Sequence, residues 1–287
     1  MKLLVTGGGG QIGSALTRCG PARGHEVVAC DHAELEVCDP ARVAAALADH
    51  APHAVINAAG YTAVDRAEAE RDAAFASNAG APGVLARACA ARAIPLVHFS
   101  TDYVFDGRAA RPYREDDPIA PLGVYGESKA AGERAVLAAG GIVIRTSWVF
   151  SATGTNFVKT MVRLATERSE LRVVADQHGC PTFADDVADA ALGVAERAIA
   201  RVALASIYHA CGDGPTTWHG FATAIVEAAR ALRPIACQRV TPITTAEFPT
   251  AARRPAYAVL DTARIRAIGI EPRPWTAGLP SVIQALL

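Results

Sequence analysis

The chain has 287 residues, 51% hydrophobic and 20% charged, and its 28 Lys and Arg against 29 Asp and Glu leave a net charge of −1. That length can bury one large core and a smaller lobe. The near-zero charge excludes a global field for nucleic acid or an anionic membrane, so any anion must be recognised locally. Seven dispersed cysteines without C-x-x-C spacing read as free thiols in a reducing compartment, with no zinc site. "MKLLVTGGGG" is too short an apolar run for a signal peptide, and no stretch nears the roughly 18 apolar residues of a membrane span. A cytoplasmic protein is expected.

Short apolar runs then alternate with longer amphipathic segments. "KLLVT" (2–6) reads as a strand and 11–20 as a helix; "EVVAC" (26–30) is followed by a helix over 40–50, and "HAVIN" (53–57) by one over 72–92. "PLVHFS" (95–100) precedes a helix over 126–139, and "GIVIRTS" (141–147) is a fifth strand. Near-continuous Val, Ile and Leu runs are typical of parallel strands buried on both faces. The repeated strand–helix unit predicts an α/β fold, a doubly wound parallel sheet of Rossmann-like type.

Beyond residue 150 the rhythm loosens into a helix (155–166), strand (171–175), helix (184–200), strand (206–211) and helix (217–231). The segment "ITTAEFPTAARRPAYAVL" has no clear period. Residues 1–150 are therefore expected to form a dinucleotide-binding domain, with some later segments returning to it. Residues 151–287 should be mostly a smaller C-terminal α/β substrate lobe.

The chemistry gathers at strand ends. Gly7, Gly10 and Gly13, with Gln11 and Ile12 between the last two, lie between the first strand and first helix. Glycines there permit a tight turn and close approach of a pyrophosphate, which the helix N-terminus attracts. No G-K-[ST] follows, so a P-loop is excluded. Asp31 ends the second strand 18 residues beyond Gly13, where a carboxylate accepts ribose hydroxyls and repels a 2′-phosphate. That favours NAD(H). Ala58, Ala59 and Gly60 offer a flat backbone to an adenine or ribose, and Ser100, Thr101 and Asp102 close the fourth strand.

In "VYGESKAAGE" (124–133), Tyr125 and Lys129 stand at i and i+4 on one helix face. An ammonium near a phenol lowers its pKa from about 10, giving an acid usable at neutral pH. With Thr101 beside them and a nicotinamide near, these groups form a hydride-transfer site.

The motifs "TGxxGxxG", "NAAGYTAVDRAE", "STDYVFDG", "YGESKAAGE", "IRTSWVF", "DQHGCPT" and "ARRP" together resemble the dTDP-4-dehydrorhamnose reductase family of the extended short-chain dehydrogenase/reductase superfamily. The resemblance runs from Lys2 to about Leu260. It implies a cofactor, NADPH or NADH, and a dTDP-sugar substrate whose C4 oxygen Tyr125 protonates. It also implies that Lys129 bonds the nicotinamide ribose, Thr101 the carbonyl and Asp102 the sugar. Trp148 matches an aromatic packed on the sugar, Glu36 and Val37 an acidic–apolar pair near the adenine, Thr62 a cofactor-side hydroxyl, and Asn78 a helix asparagine. Some relatives dimerise around magnesium held by acidic side chains. Alanines at 15 and 285 leave a hard cation short of oxygen ligands, so no metal is expected and the chain should be a monomer or weak homodimer.

Two rivals stand beside the reductase. Dehydrating relatives carry Asp-Glu after the threonine, where this chain has Asp102-Tyr103. A non-catalytic NAD(P)-binding regulatory subunit, like that of methionine adenosyltransferase, shares the scaffold. Arg253 and Arg254 are candidates for the diphosphate, since guanidinium suits phosphate oxygens; Arg254 is the one assigned. His98, His178, His209 and His219 read as structural, with His178 and Gln177 near a nucleotide pocket as the alternative.

Overall fold

A computed structural model describes all 287 residues. The strands are β1 (Lys2–Thr6), β2 (Glu26–Cys30), β3 (Ala54–Asn57), β4 (Leu96–Thr101), β5 (Ile142–Thr146), β6 (Val149–Phe150), β7 (Glu170–Val174), β8 (His178–Gly179), β9 (Thr182–Phe183), β10 (Ile207–His209), β11 (Thr216–Thr217) and β12 (Arg239–Ile243). The first five helices are α1 (Gln11–Ala22), α2 (Pro40–His50), α3 (Val64–Ala67), α4 (Arg71–Phe75) and α5 (Ala81–Ala90). The others are α6 (Val124–Ala138), α7 (Phe157–Glu167), α8 (Ala184–Ile199), α9 (Trp218–Leu232), α10 (Ala263–Arg266) and α11 (Leu279–Leu286).

Six parallel strands form the main sheet in the order β2-β1-β3-β4-β5-β10. Period-two alternation along each strand divides the apolar side chains between two faces. Leu3, Val5, Ile56, Val97 and Ile144 pack one face against α1 and α8. Leu4, Val55, Leu96 and Val143 pack the other against Val43, Leu47, Leu85 and Val136 of α2, α5 and α6. Helices on both faces define the doubly wound architecture expected from sequence. The chain goes from β1 to β2 on one side and returns to β3 on the other, so the switch point lies between β1 and β3, where such sheets bind ligands.

The second half builds a separate core from Phe150, α7, β7, α9 and α11, beside the parallel β7–β12 pair. Two expectations are corrected. The helix expected over 72–92 is broken: α4 gives way to a π-turn at Ala76–Gly80 before α5. Buried Asn78 explains the break, because its amide donates to the Tyr61 carbonyl and Ser128 hydroxyl, both at 3.0 Å. A strand was also missed just before the aperiodic segment, since Arg239–Ile243, ending on that segment's first residue, is paired in parallel with β7.

Candidate active site

The turn after β1 is shaped by contacts that exclude side chains. Gly7 adopts φ +73°, and a Cβ there would meet the Ala59 nitrogen at 2.6 Å; a Cβ on Gly13 would meet the Gly7 carbonyl oxygen at 2.1 Å. Gly10 caps α1 with extended backbone and no side-chain partner, leaving first-turn N–H groups of Gln11, Ile12 and Gly13 for an anion. The Gln11 side chain faces elsewhere. Its Oε1 accepts from Ser151 Oγ at 3.0 Å and Asn156 Nδ2 at 2.9 Å, joining the turn to the second core.

A cavity of about 230 Å³ opens beyond β2 and β3, lined by Glu36, Val37, Cys38, Asn57 and Ala59. It brings together three residues singled out for the adenine. Thr62 is exposed and does not line it. Asp31 is exposed; its Oδ1 accepts from the Ala33 and Glu34 N–H groups at 2.8 and 3.0 Å. Cys38 is the exposed member of the seven free cysteines. If this cavity holds the adenine, saturating NADH or NADPH slows maleimide alkylation of Cys38 by at least about tenfold, as read by peptide mass mapping; an unchanged rate places the adenine elsewhere.

Across the switch point, β4 ends at Thr101 and enters a 3-10 turn, Asp102–Val104. Thr101 Oγ1 donates to Asp102 Oδ1 at 2.9 Å, while Asp102 Oδ2 is buried without a partner. Burial pushes the Asp102 carboxyl up to about 7, against the Thr101 hydroxyl and the turn's own N–H groups. Its folded-state pKa is raised, so the fold favours the protonated acid. The cost of ionising it appears as pH rises above about 4 and is complete above about 7. Asp102→Asn should therefore raise Tm by a few degrees at about pH 8 and by clearly less at about pH 5. Equal shifts at both pH values, measured by calorimetry, would refute this reading of Asp102.

Tyr125 and Lys129 are on α6, which is fixed along its length. Glu68 Oε1 accepts the Val124 N–H at 2.9 Å, supplying the cap that Gly123 lacks. Lower down, Arg145 on β5 donates to both Glu133 oxygens at 2.8 and 2.7 Å in a buried bidentate pair. The Tyr125 ring meets Tyr103 edge-on at 5.5 Å. The pKa expectation is corrected here. Burial pushes the phenol up to about 12, with Thr101 opposing and Asp102 adding to the rise. Lys129 does not lower it, because its Nζ donates to the Phe99 carbonyl instead. Burial brings Lys129 itself down to about 8, with Glu133 opposing. Gly60 lies between Asn78 and Lys129: a Cβ there would stand 3.0 Å from Asn78 Oδ1 and 3.8 Å from Lys129 Nζ.

A groove of about 790 Å³ is lined by Tyr103, the edge-on neighbour of Tyr125, and by Met161, Val173, Gln177, Trp218 and Arg254 among others; Tyr125 itself does not line it. Arg254 enters it paired with Asp65, its two terminal nitrogens donating at 3.1 and 2.7 Å. Arg253 is exposed and outside the groove. Trp148 takes left-handed backbone, φ +46°, and stacks on Trp218 at 3.6 Å between centroids. Sequence reading missed Asp65, Glu68 and Trp218, whose roles depend on long-range contacts; "VDRAE" beside the glycine was the available signal. His98 and His209 are buried against Asn57 and Arg145, and His219 faces the Val240 carbonyl. His178 is exposed.

A glycine-cradled helix start, a nucleoside-sized cavity and a Thr–Tyr–Lys set at one edge of a doubly wound sheet define a member of the extended short-chain dehydrogenase/reductase superfamily. The family described as RmlD substrate binding domain matches residues 1–287. The dTDP-4-dehydrorhamnose reductase of Burkholderia thailandensis is 45% identical, covering 100% of this chain and 99% of that protein. The Streptomyces griseus enzyme of the same name is 46% identical over 99% of this chain and 94% of its own length. A crystal structure of a dTDP-4-dehydrorhamnose reductase from Bacillus anthracis in complex with NADP superposes with a TM-score of 0.91, at 34% identity, over 99% of this chain and 98% of that one. The chain belongs to the dTDP-4-dehydrorhamnose reductase family of NAD(P)H-dependent oxidoreductases.

Proposed function

We propose that the protein reduces the C4 ketone of dTDP-4-dehydro-L-rhamnose to dTDP-L-rhamnose, with Tyr125 as the proton donor. The observation that carries this reading is the convergence of Thr101, Tyr125 and Lys129 between the glycine turn and the Arg254 groove. The residues fit a dinucleotide: α1 offers unpaired N–H groups beside Gly7 and Gly13, and Glu36, Val37 and Ala59 line an adenine-sized cavity. When bound, the reduced nicotinamide supplies the hydride.

The chain's own groups do the rest. A phenol held near 12 is fully protonated at neutral pH, the form a reduction needs at the carbonyl oxygen. The Thr101 hydroxyl donates a second hydrogen bond to that oxygen once released from Asp102, steadying charge as it develops. Lys129 keeps a positive charge below the phenol up to about pH 8, and Tyr125 is reprotonated through it. Arg254, oriented by Asp65, meets the diphosphate, while Trp148 and the apolar groove wall receive sugar and base. The second-half core thus serves as the substrate lobe, the first half as the dinucleotide domain.

The test is oxidation of NADH and NADPH with a panel of dTDP-4-keto-6-deoxysugars. The reading expects turnover with dTDP-4-dehydro-L-rhamnose above its stereoisomers. Tight dinucleotide binding with no turnover of any member would favour the non-catalytic regulatory role. Preference for another isomer would move the substrate and leave the mechanism standing.

A further inference from the structure

We propose that Cys180 and Cys211 are an oxidation site, closing to a disulfide under a hydroperoxide and thereby slowing the enzyme; the effect on turnover rests on the reductase reading above, the bond itself does not. Backbone contacts bring the two residues together. The Gly212 N–H donates to Thr182 Oγ1 at 3.2 Å, and a Cβ on Gly212 would meet the Pro181 carbonyl oxygen at 2.2 Å. The segments that follow the two cysteines are therefore in contact. That sets the cysteines at neighbouring positions, the placement a disulfide needs for Cα atoms about 4.4–6.8 Å apart. Both side chains are buried in one small core with Phe105, Ala130 and Leu260, and the thiols hydrogen-bond to each other.

Charge and access both set this pair apart. Accepting the Cys211 S–H holds the Cys180 thiol below its usual range, against the effect of burial. Cys211, the donor, is pushed up by that bond and by burial. Burial pushes Cys19, Cys30, Cys38 and Cys89 up as well, with no thiol partner to oppose it. Cys211 also lines, with Thr182 and Ala210, a cavity of about 360 Å³ between α8 and residues 265–273. The Arg254 groove shares no residue with this cavity, so a small oxidant reaches the sulfur without crossing the substrate's path.

The step balances on the pair and one peroxide. One proton leaves the pair and the other is shared between the two sulfurs. As the shared proton passes to Cys180, the Cys211 sulfur attacks a peroxide oxygen, the O–O bond breaks and the second oxygen leaves as water. Cys180 then attacks the sulfenic Cys211 sulfur, the S–O bond breaks and another water departs. Two thiols lose two electrons and two protons, and the peroxide becomes two waters. The new bond pulls on a loop that shapes the groove. Ser147 Oγ donates to the Cys180 carbonyl at 2.7 Å, and a Cβ on Gly179 would stand 2.5 Å from Trp148 Cε2. Gln177, earlier in the same loop, lines the groove. Drawing Cys180 toward Cys211 shifts these groups and leaves the glycine turn alone.

The experiment treats the full chain with hydrogen peroxide and reads non-reducing peptide maps by mass, alongside kcat/KM for the ketone substrate. The expected map links Cys180 to Cys211 with the loss of two hydrogens, which dithiothreitol restores. kcat/KM should fall at least about fivefold, since misplacement by an ångström costs up to about 10²-fold, and should recover as the thiols do. Cys211→Ala should start at native activity and keep it through the same treatment. The map of the native chain stands whether or not that variant folds. No such cross-link, a bond through a different cysteine, a bond that leaves kcat/KM intact, or an activity loss that Cys211→Ala shares would overturn the proposal. The cross-link in a chain that turns over no ketosugar would uphold the oxidation site and sink the reductase reading.

Discussion

Tyr125→Phe lowers kcat for ketone reduction by at least about 10²-fold, while dinucleotide affinity changes less than about threefold. The prediction is large because the substitution removes one atom and little else. The ring keeps its edge-on contact with Tyr103 at 5.5 Å, and α6 keeps its Glu68 cap and its buried Glu133–Arg145 pair. The lost oxygen is the group whose proton burial retains up to about 12. Thr101 cannot replace it, since an aliphatic hydroxyl can donate a hydrogen bond to the carbonyl oxygen but is a far weaker acid than a phenol. The native enzyme carries a companion signature. Its reduction rate holds to about pH 8 and falls above, because the desolvated Lys129 ammonium loses its proton there. Stopped-flow single-turnover kinetics across that range read both effects on the chemical step. A Tyr125→Phe enzyme within tenfold of native kcat removes the phenol from the mechanism.

Gly13→Ala weakens NADH binding by at least about tenfold and lowers Tm by several degrees. The added methyl lands 2.1 Å from the Gly7 carbonyl oxygen and 2.8 Å from the Gly8 Cα. These are backbone atoms, so no rotamer change relieves the clash. Overpacking of this kind costs about 1–3 kcal/mol, and here the strain falls on the turn proposed to receive the pyrophosphate. Gly7 cannot move aside, because its own positive φ already seats it against Ala58 and Ala59 of the neighbouring strand end. Calorimetric titration with NADH, paired with a melting curve, separates binding from folding. Native affinity in the variant would show that the phosphates do not sit at this turn.

Much of the architecture is legible in the chain because local pattern and global burial coincide. "KLLVT" is apolar on both faces since both faces of β1 are covered, and the same holds for β3, β4 and β5. The glycine spacing is readable because backbone crowding dictates it. The break at Ala76–Gly80 is not, since an alanine-rich stretch favours continuous helix and only Asn78, reaching to Tyr61 and Ser128, interrupts it. Arg254 appears in sequence as half of a pair in a polar loop. Its bond to Asp65 spans 189 residues, a distance at which no periodicity speaks. The pairing of Tyr125 with Lys129 is visible at i and i+4, yet the direction of the phenol's shift is not. Depth of burial decides it, and depth is set by what the rest of the chain folds over the helix.

The carboxamide of Gln11 bears on how such an enzyme can diversify. By accepting from both Ser151 and Asn156, it fastens the segment that opens the second core to the glycine turn proposed to seat the cofactor's phosphates. Rigid-body drift of the lobe, an easy evolutionary route to new sugars, would here disturb coenzyme affinity as well. On the proposed reading, changes in substrate range are thereby channelled into side chains lining the groove, away from the turn.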